Sequence, residues 1–230
     1  MKYNQSPWVV SDSFNWKPII DDLNLKPYSL KKGTAVFEQG SANGKIYVIK
    51  SGRVNLSIAD DQGAEKCLFV LGRGCIFGEI AVLSEGVTRT LAIAVSPVVL
   101  YEFPGEYLLG ELKTNLTLNQ AIIENLLEKI NLLTSQIELL CFYDSPYRVI
   151  ESLCYLMDQF GKRDEQGGVL IEMKFTHQEM ANLVGVTRVT VTNIFLKMKQ
   201  KGLIENRKSG VYVKNPEHLR EFIKVKRETL

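Results

Sequence analysis

The chain has 230 residues, 45% of them apolar and 23% charged, with a net charge of +2 and four cysteines. That length accommodates two domains with separate cores, and the balance excludes a disordered, collagen-like or disulfide-stapled chain. The opening residues lack the apolar run of a secretory leader, and no stretch approaches the roughly 18 apolar residues of a membrane helix, so the expected setting is cytoplasmic, with reduced thiols and no membrane partner.

From residue 28 to 103 short apolar runs, often alternating, follow one another at 35–37, 46–49, 54–58, 67–71, 91–95 and 98–101, broken by glycines. Such strands with glycine turns predict an antiparallel roll or barrel, with a hairpin tip at Asp61-Gln62-Gly63. Within it lie Phe77-Gly78-Glu79-Ile80-Ala81 and then Val87-Thr88-Arg89-Thr90. Gly78 lets backbone approach a ligand, and a short helix starting there would aim N–H groups at an anion. Arg89 offers a guanidinium fork and Thr90 a hydroxyl for phosphate oxygens. Glu79, repelled by phosphate, suits the hydroxyls of a sugar. The set describes a sugar-phosphate pocket; the alternative is a direct Glu79–Arg89 pair in a roll that has no ligand.

After Phe103 the period changes. Ile123, Ile130 and Ile137 stand seven apart, and Leu126, Leu133 and Leu140 fall three further on. This a/d seam predicts a parallel two-stranded coil, hence a homodimer, along a helix over 113–143. The competing arrangement is a single amphipathic helix packed on its own domain. Ser145-Pro146 reads as an N-cap followed by Pro at N1. That joint divides the chain into a roll that binds an effector (1–112), a dimerisation helix (113–143) and a C-terminal domain (144–230).

Beyond Gly167-Gly168 a short strand at 169–173 precedes two helices around a tight turn. Thr176 with Glu179 forms a capping box, Gly185 supplies the turn, and Thr187 caps a second helix whose Val191, Ile194, Phe195 and Met198 face inward. Arg188, Val189, Thr192 and Asn193 lie on its other side near the N-terminal end, where a helix in the major groove meets base edges. Residues 203–213, with a turn at Lys208-Ser209-Gly210, read as a winged hairpin. Residues 174–214 carry eight Lys/Arg against two Asp/Glu, a local +6 on a body of −4. Phosphate contacts are the simplest use of that charge, with Thr176 and His177 at the first helix and Lys197, Lys199, Lys201, Arg207 and Lys208 beyond it as candidates.

Roll, long helix, joint and winged helix-turn-helix, with Gly-Glu and Arg-Thr in the roll, closely resemble the CRP/FNR superfamily, the cyclic-AMP receptor protein and its relatives, over roughly residues 20–215. The resemblance implies an α+β protein that regulates transcription and is not an enzyme. It implies double-stranded DNA with a pseudo-palindromic site, a second copy of the chain, a small effector and RNA polymerase as partners. It further implies that Gly78, Glu79, Arg89 and Thr90, with Ile80 beside them, hold the sugar phosphate of a cyclic nucleotide such as cyclic AMP, that Thr134 and Ser135 contact the base from both subunits, and that Arg188 contacts guanine. Val189 and Asn193 depart from the glutamate and arginine of many relatives. Valine can touch a thymine methyl and asparagine can read adenine, so a GTA-like half-site is expected in place of TGTGA. No cysteine precedes Cys67, which speaks against an iron-sulfur cluster, and the two histidines, His177 and His218, lie outside the roll, which speaks against a His-ligated haem. No firm cofactor is expected. Two other readings stand beside this one: a nucleotide-binding regulatory subunit acting on a protein, and a family regulator with a redox or other non-nucleotide signal, for which Cys67 and Cys75 on adjacent strands are a candidate pair.

Overall fold

The computed structural model describes residues 14–228 apart from 85, 174 and 208. The predicted chain start and Lys208 of the wing turn therefore lie outside the described residues. Two compact units divide between Thr134 and Ser135, inside the long helix, so the segment read from sequence as a separate piece is shared by both.

In the first unit, α1 (Lys17–Asp22) leads into β1 (Tyr28–Leu30), β2 (Ala35–Phe37), β3 (Lys45–Ser51), β4 (Val54–Ala59), β5 (Glu65–Leu71), β6 (Ile76–Phe77), α2 (Glu79–Leu83), β7 (Leu91–Ala94), β8 (Val98–Pro104) and α3 (Gly105–Glu111). The strands form two four-stranded antiparallel sheets, ordered β1-β8-β3-β6 and β2-β7-β4-β5, which is the expected roll. The β4–β5 hairpin turns at 60–64, where Asp60 Oδ1 accepts from the backbone N–H of Gln62 and Ala64. Leu56, Phe69, Leu71, Phe77 and Leu100 fill one core together with Leu132. A second cluster joins Trp16, Ile46, Ile76 and Phe103 to Leu118 and Ile122, and Trp16 closes it by donating from Nε1 to the Gly74 carbonyl at 2.8 Å.

Cys67 sits in β5 and Cys75 just before β6, strands of different sheets, and both are buried and not disulfide-bonded. The Cys67 thiol donates to Asn55 Oδ1 at 2.8 Å, and burial pushes its pKa up to about 12. The redox pair across adjacent strands is thus corrected.

The long helix α4 (Leu116–Phe142) lays Leu118, Ile122, Asn125, Lys129 and Leu132 inward, a 4-3-4-3 spacing that keeps one face toward the roll. Leu126 and Leu133 flank that face and pack partly against the two cores. This corrects the expected seam, because two of its three leucines serve their own roll. Ile123, Leu127, Ile130 and Ile137 are 53–60% exposed, and the exposed stripe steps four residues from each isoleucine, to Leu127, Thr134 and Cys141, where the a/d reading stepped three to leucine. The isoleucines then occupy d rather than a positions. The rule that β-branched a residues select two strands no longer applies to them.

In the second unit α4 ends at Phe142 and, after Tyr143 and Asp144, α5 (Ser145–Phe160) begins. Its N-cap is Asp144, one residue before the expected Ser145: Asp144 Oδ1 accepts from the N–H of Tyr147 at 2.9 Å, and Pro146 stands in the first turn. A four-stranded sheet follows, ordered β11-β12-β10-β9, from β9 (Gly161–Arg163), β10 (Val169–Ile171), β11 (Ile204–Arg207) and β12 (Gly210–Val213), with α6 (His177–Val184) and α7 (Arg188–Gln200) inserted before the β11–β12 wing. A terminal helix, α8 (Pro216–Glu228), was not anticipated; it buries Leu219 and ties Arg220 to Asp158 of α5.

Asp144→Ala should lower stability by about 1 kcal/mol, the usual worth of an N-cap. The Tyr147 N–H, and secondarily Lys226, hold the Asp144 carboxyl below its ordinary 3.8. Its contribution is therefore complete above that value and lost as pH falls through the lower folded value. Thermal melts from pH 7 to 2 should show wild type and variant converging at the acid end.

Candidate effector site and DNA-reading surface

Gly78 ends β6 with φ +92° and opens α2. A Cβ there would stand 2.5 Å from the Lys45 carbonyl oxygen, so close approach and backbone sign both require glycine. Glu79 follows as the first residue of α2 and Ile80 is exposed beside it. The next loop is pinned by Thr88, which is buried, donates from Oγ1 to the Glu38 carbonyl at 2.6 Å, and receives an antiparallel bridge beside it at Ala42–Val87. This leaves Arg89 exposed and Thr90 half-buried at the loop surface.

Glu79 does not pair with Arg89. Its side chain is 1% exposed and its Oε1 accepts from Lys129 Nζ of α4 at 2.6 Å, with Lys129 itself 3% exposed. Lys129 Nζ also donates to the Ile76 carbonyl at 3.1 Å. The second carboxylate oxygen, Oε2, is buried and has no hydrogen-bond partner. Arg89 makes no ion pair among the described residues. Thr134 is exposed, its hydroxyl donating to the Ile130 carbonyl of its own helix at 3.0 Å, and Ser135 is half-buried. Sequence reasoning missed Lys129. The inward stripe 118-122-125-129-132 is the signal that holds it, since a lysine on that stripe must be buried and a buried ammonium needs an anion.

The second unit brings its predicted residues onto one helix pair. The Thr176 capping box is complete, with Thr176 Oγ1 accepting from the Glu179 N–H at 3.0 Å and Glu179 Oε2 accepting from the Thr176 N–H at 2.7 Å. Gly185 takes φ +69° at the turn, and Thr187 Oγ1 accepts from the Thr190 N–H at 3.1 Å to start α7. Val191, Ile194, Phe195 and Met198 are buried, while Arg188, Val189, Asn193, Leu196 and Lys197 are exposed along the opposite face. Val189 is 67% exposed, so an apolar side chain is presented where a groove-reading helix begins.

His177 and Thr192 are held together instead of standing free. His177 Nδ1 lies 2.9 Å from Thr192 Oγ1, whose hydroxyl donates to the Arg188 carbonyl at 2.9 Å, so the imidazole N–H is the donor that remains for Thr192 to accept. The His177 ring also packs on Phe195, centroids 4.8 Å apart. His177, expected as a phosphate contact, thus spends Nδ1 on a brace between the start of α6 and the first turn of α7. Beside it a cavity of about 330 Å³ is lined by residues that include Phe175, His177, Asn206 and Arg207. On the wing the Arg207 guanidinium covers the Tyr212 ring at 3.4 Å, and Tyr212 donates to Asp164 at 2.7 Å. Among the described residues no group of three or more His, Cys, Asp or Glu is placed to hold a metal ion, and no helix is long and apolar enough to cross a membrane.

Residues 27–115 match the cyclic nucleotide-binding domain family and residues 147–222 the Crp-like helix-turn-helix domain family. The CRP-like cAMP-activated global transcriptional regulator of Mycobacterium tuberculosis is 25% identical over 195 residues, 85% of this chain and 87% of that protein. The global nitrogen regulator of Synechococcus elongatus is 28% identical over 196 residues, 84% of this chain and 88% of that protein. Among solved structures, a CooA variant from Carboxydothermus hydrogenoformans has a TM-score of 0.75 at 20% identity, covering 93% of this chain and 100% of that one, a likeness of fold.

Burial first, then Lys199 and Arg188, hold the His177 imidazole below its ordinary 6.5. The stability carried by neutral His177 is therefore complete above 6.5 and lost as pH falls through the lower folded value. His177→Ala should cost about 1 kcal/mol, the net worth of one hydrogen bond, and should remove the corresponding acid-side loss from thermal melts between pH 7.5 and 5; an unchanged melting profile contradicts the brace.

Proposed function

Since this chain belongs to the CRP/FNR superfamily of effector-responsive, DNA-binding transcription regulators, we propose that it acts as a homodimer whose two α7 helices read a pseudo-palindromic duplex under the control of a small effector in the roll. The observation that carries this reading is the α6–α7 pair: both helices are capped, the turn is closed, and an exposed face of Arg188, Val189, Asn193 and Lys197 starts at the capped end. The exposed stripe of α4 supports the second copy. A one-sided apolar seam flanked by residues committed to the roll closes most simply by two-fold pairing with itself. Contact with RNA polymerase is the route by which the bound dimer would act on transcription.

The effector we favour is a cyclic nucleotide, cyclic AMP first. Glu79 Oε2 is an acceptor without a partner, suited to a ribose hydroxyl, while exposed Arg89 and half-buried Thr90 suit the phosphate. Thr134 and Ser135 are the proposed base contacts. One observation favours a different small effector: Lys129 already holds the other oxygen of Glu79, which limits how a sugar can engage that carboxylate.

Calorimetric titration with cyclic AMP should release heat that Arg89→Ala removes; no heat with cyclic AMP or cyclic GMP eliminates the nucleotide. On DNA, Arg188→Ala should cost about 1–3 kcal/mol and relax the preference at one guanine. Lys197→Ala should weaken all sequences alike and lower the salt slope by about 0.9. Selection from a random duplex pool should enrich a GTA-like half-site, Val189 on the thymine methyl and Asn193 on adenine, and enrichment of TGTGA refutes that assignment.

A further inference from the structure

Lys129 joins three elements at one ammonium. It donates to the carbonyl of Ile76 in β6 and to Glu79 at the start of α2, and it belongs to α4, next in sequence to Ile130 of the exposed stripe. Both charges are nearly removed from water, so neither can be left alone without a large desolvation cost. Yet the carboxylate is only half used, because Oε2 is buried without a partner. Glu79 therefore faces α4 through one oxygen and keeps the other for a donor that the protein does not supply.

We propose that Lys129 is a positioning residue of the effector site, holding the Glu79 carboxylate between helix and ligand so that occupancy of the roll is felt by α4. This rests on the reading that the roll takes an effector at Glu79. A hydroxyl donated to Oε2 draws negative charge away from Oε1 and loosens the bond to Lys129. A ligand that takes the carboxylate outright forces the ammonium to find another acceptor, and the helix that carries it must shift. Because a buried charge does not tolerate intermediate, unpaired positions, such a contact has discrete arrangements, as a switch requires. The same pair narrows the ligand class. Lys129 neutralises Glu79, which leaves Arg89 as the uncompensated charge of the predicted set, so a singly charged anion bearing hydroxyls fits better than a dianion.

The test uses full-length protein, its selected duplex and cyclic AMP as probe, with K129M, K129R and the doubly neutral E79Q,K129M. Wild type should bind duplex at least about fivefold more tightly with cyclic AMP than without. In K129M that ratio should fall to about one while calorimetry still detects cyclic AMP, and K129R should restore a ratio above about half of wild type. Ligand-free K129M should also differ from wild type in duplex affinity by about threefold or more. Wild-type coupling in K129M overturns the inference and leaves the effector reading intact. If wild type gives no heat with cyclic AMP, the nucleotide reading fails, and the ligand-free comparison decides Lys129 alone: equal duplex affinities overturn it. Should K129M not fold, E79Q,K129M, which leaves no unpaired buried charge, decides through ligand-free duplex affinity alone, and a value equal to that of wild type overturns the inference.

Discussion

Each residue of α4 can serve only one of two faces, the one against the roll or the exposed one. The helix meets that constraint by covering the roll with Leu118, Ile122 and Leu132 while admitting Asn125 and Lys129 between them. Its best knobs, the isoleucines at 123, 130 and 137, stay on the outside. Exposed apolar residues scattered singly are ordinary, and their alignment along one face of α4 is not.

Polar residues share the inward face. Placing Lys129 against the roll obliges a counter-charge, and Glu79 is delivered to it by the shortest of turns. Gly78 in a left-handed conformation reverses the chain from β6 into α2, so that the first helical side chain points into the interior. A methyl group at 78 would meet the Lys45 carbonyl and spoil that reversal. A well-packed apolar pair of similar volume is often as stable as a buried ion pair, so stability alone does not account for Glu79 and Lys129.

Local chemistry was readable wherever one or two residues settle the matter. Thr176 with Glu179, the glycine at 185, the cap at Thr187 and the hairpin tip at 60–64 all depend on contacts within a few residues, and each stands as its residue types require. Apart from the α5 cap, which stands at Asp144 one residue before Ser145, the corrections lie where distant partners decide. Ile123-Leu126 and Ile123-Leu127 are equally good helical neighbours, and only the packing of Leu126 against the second core cluster tells which leucine remains outside. Lys129 drew no reading because nothing near it in sequence announces Glu79, fifty positions away. The contact of His177 with Thr192 was not foreseen either, because Thr192 comes from the following helix. The terminal helix α8 was available in principle: Asn215-Pro216 is a cap followed by proline, and Asn215 Oδ1 accepts from the His218 N–H.

The thiols give the molecule an unplanned experimental convenience. Cys67, Cys75 and Cys154 are buried, and burial drives Cys67 and Cys154 up to about 12, where thiolate, the form that alkylates, is scarce. Cys141 alone of the four is exposed, and it lies on the same helical stripe as Leu127 and Thr134. A maleimide dye or a nitroxide would therefore attach at a single place in the native chain, near the end of α4, giving a spectroscopic reporter there without engineered cysteines.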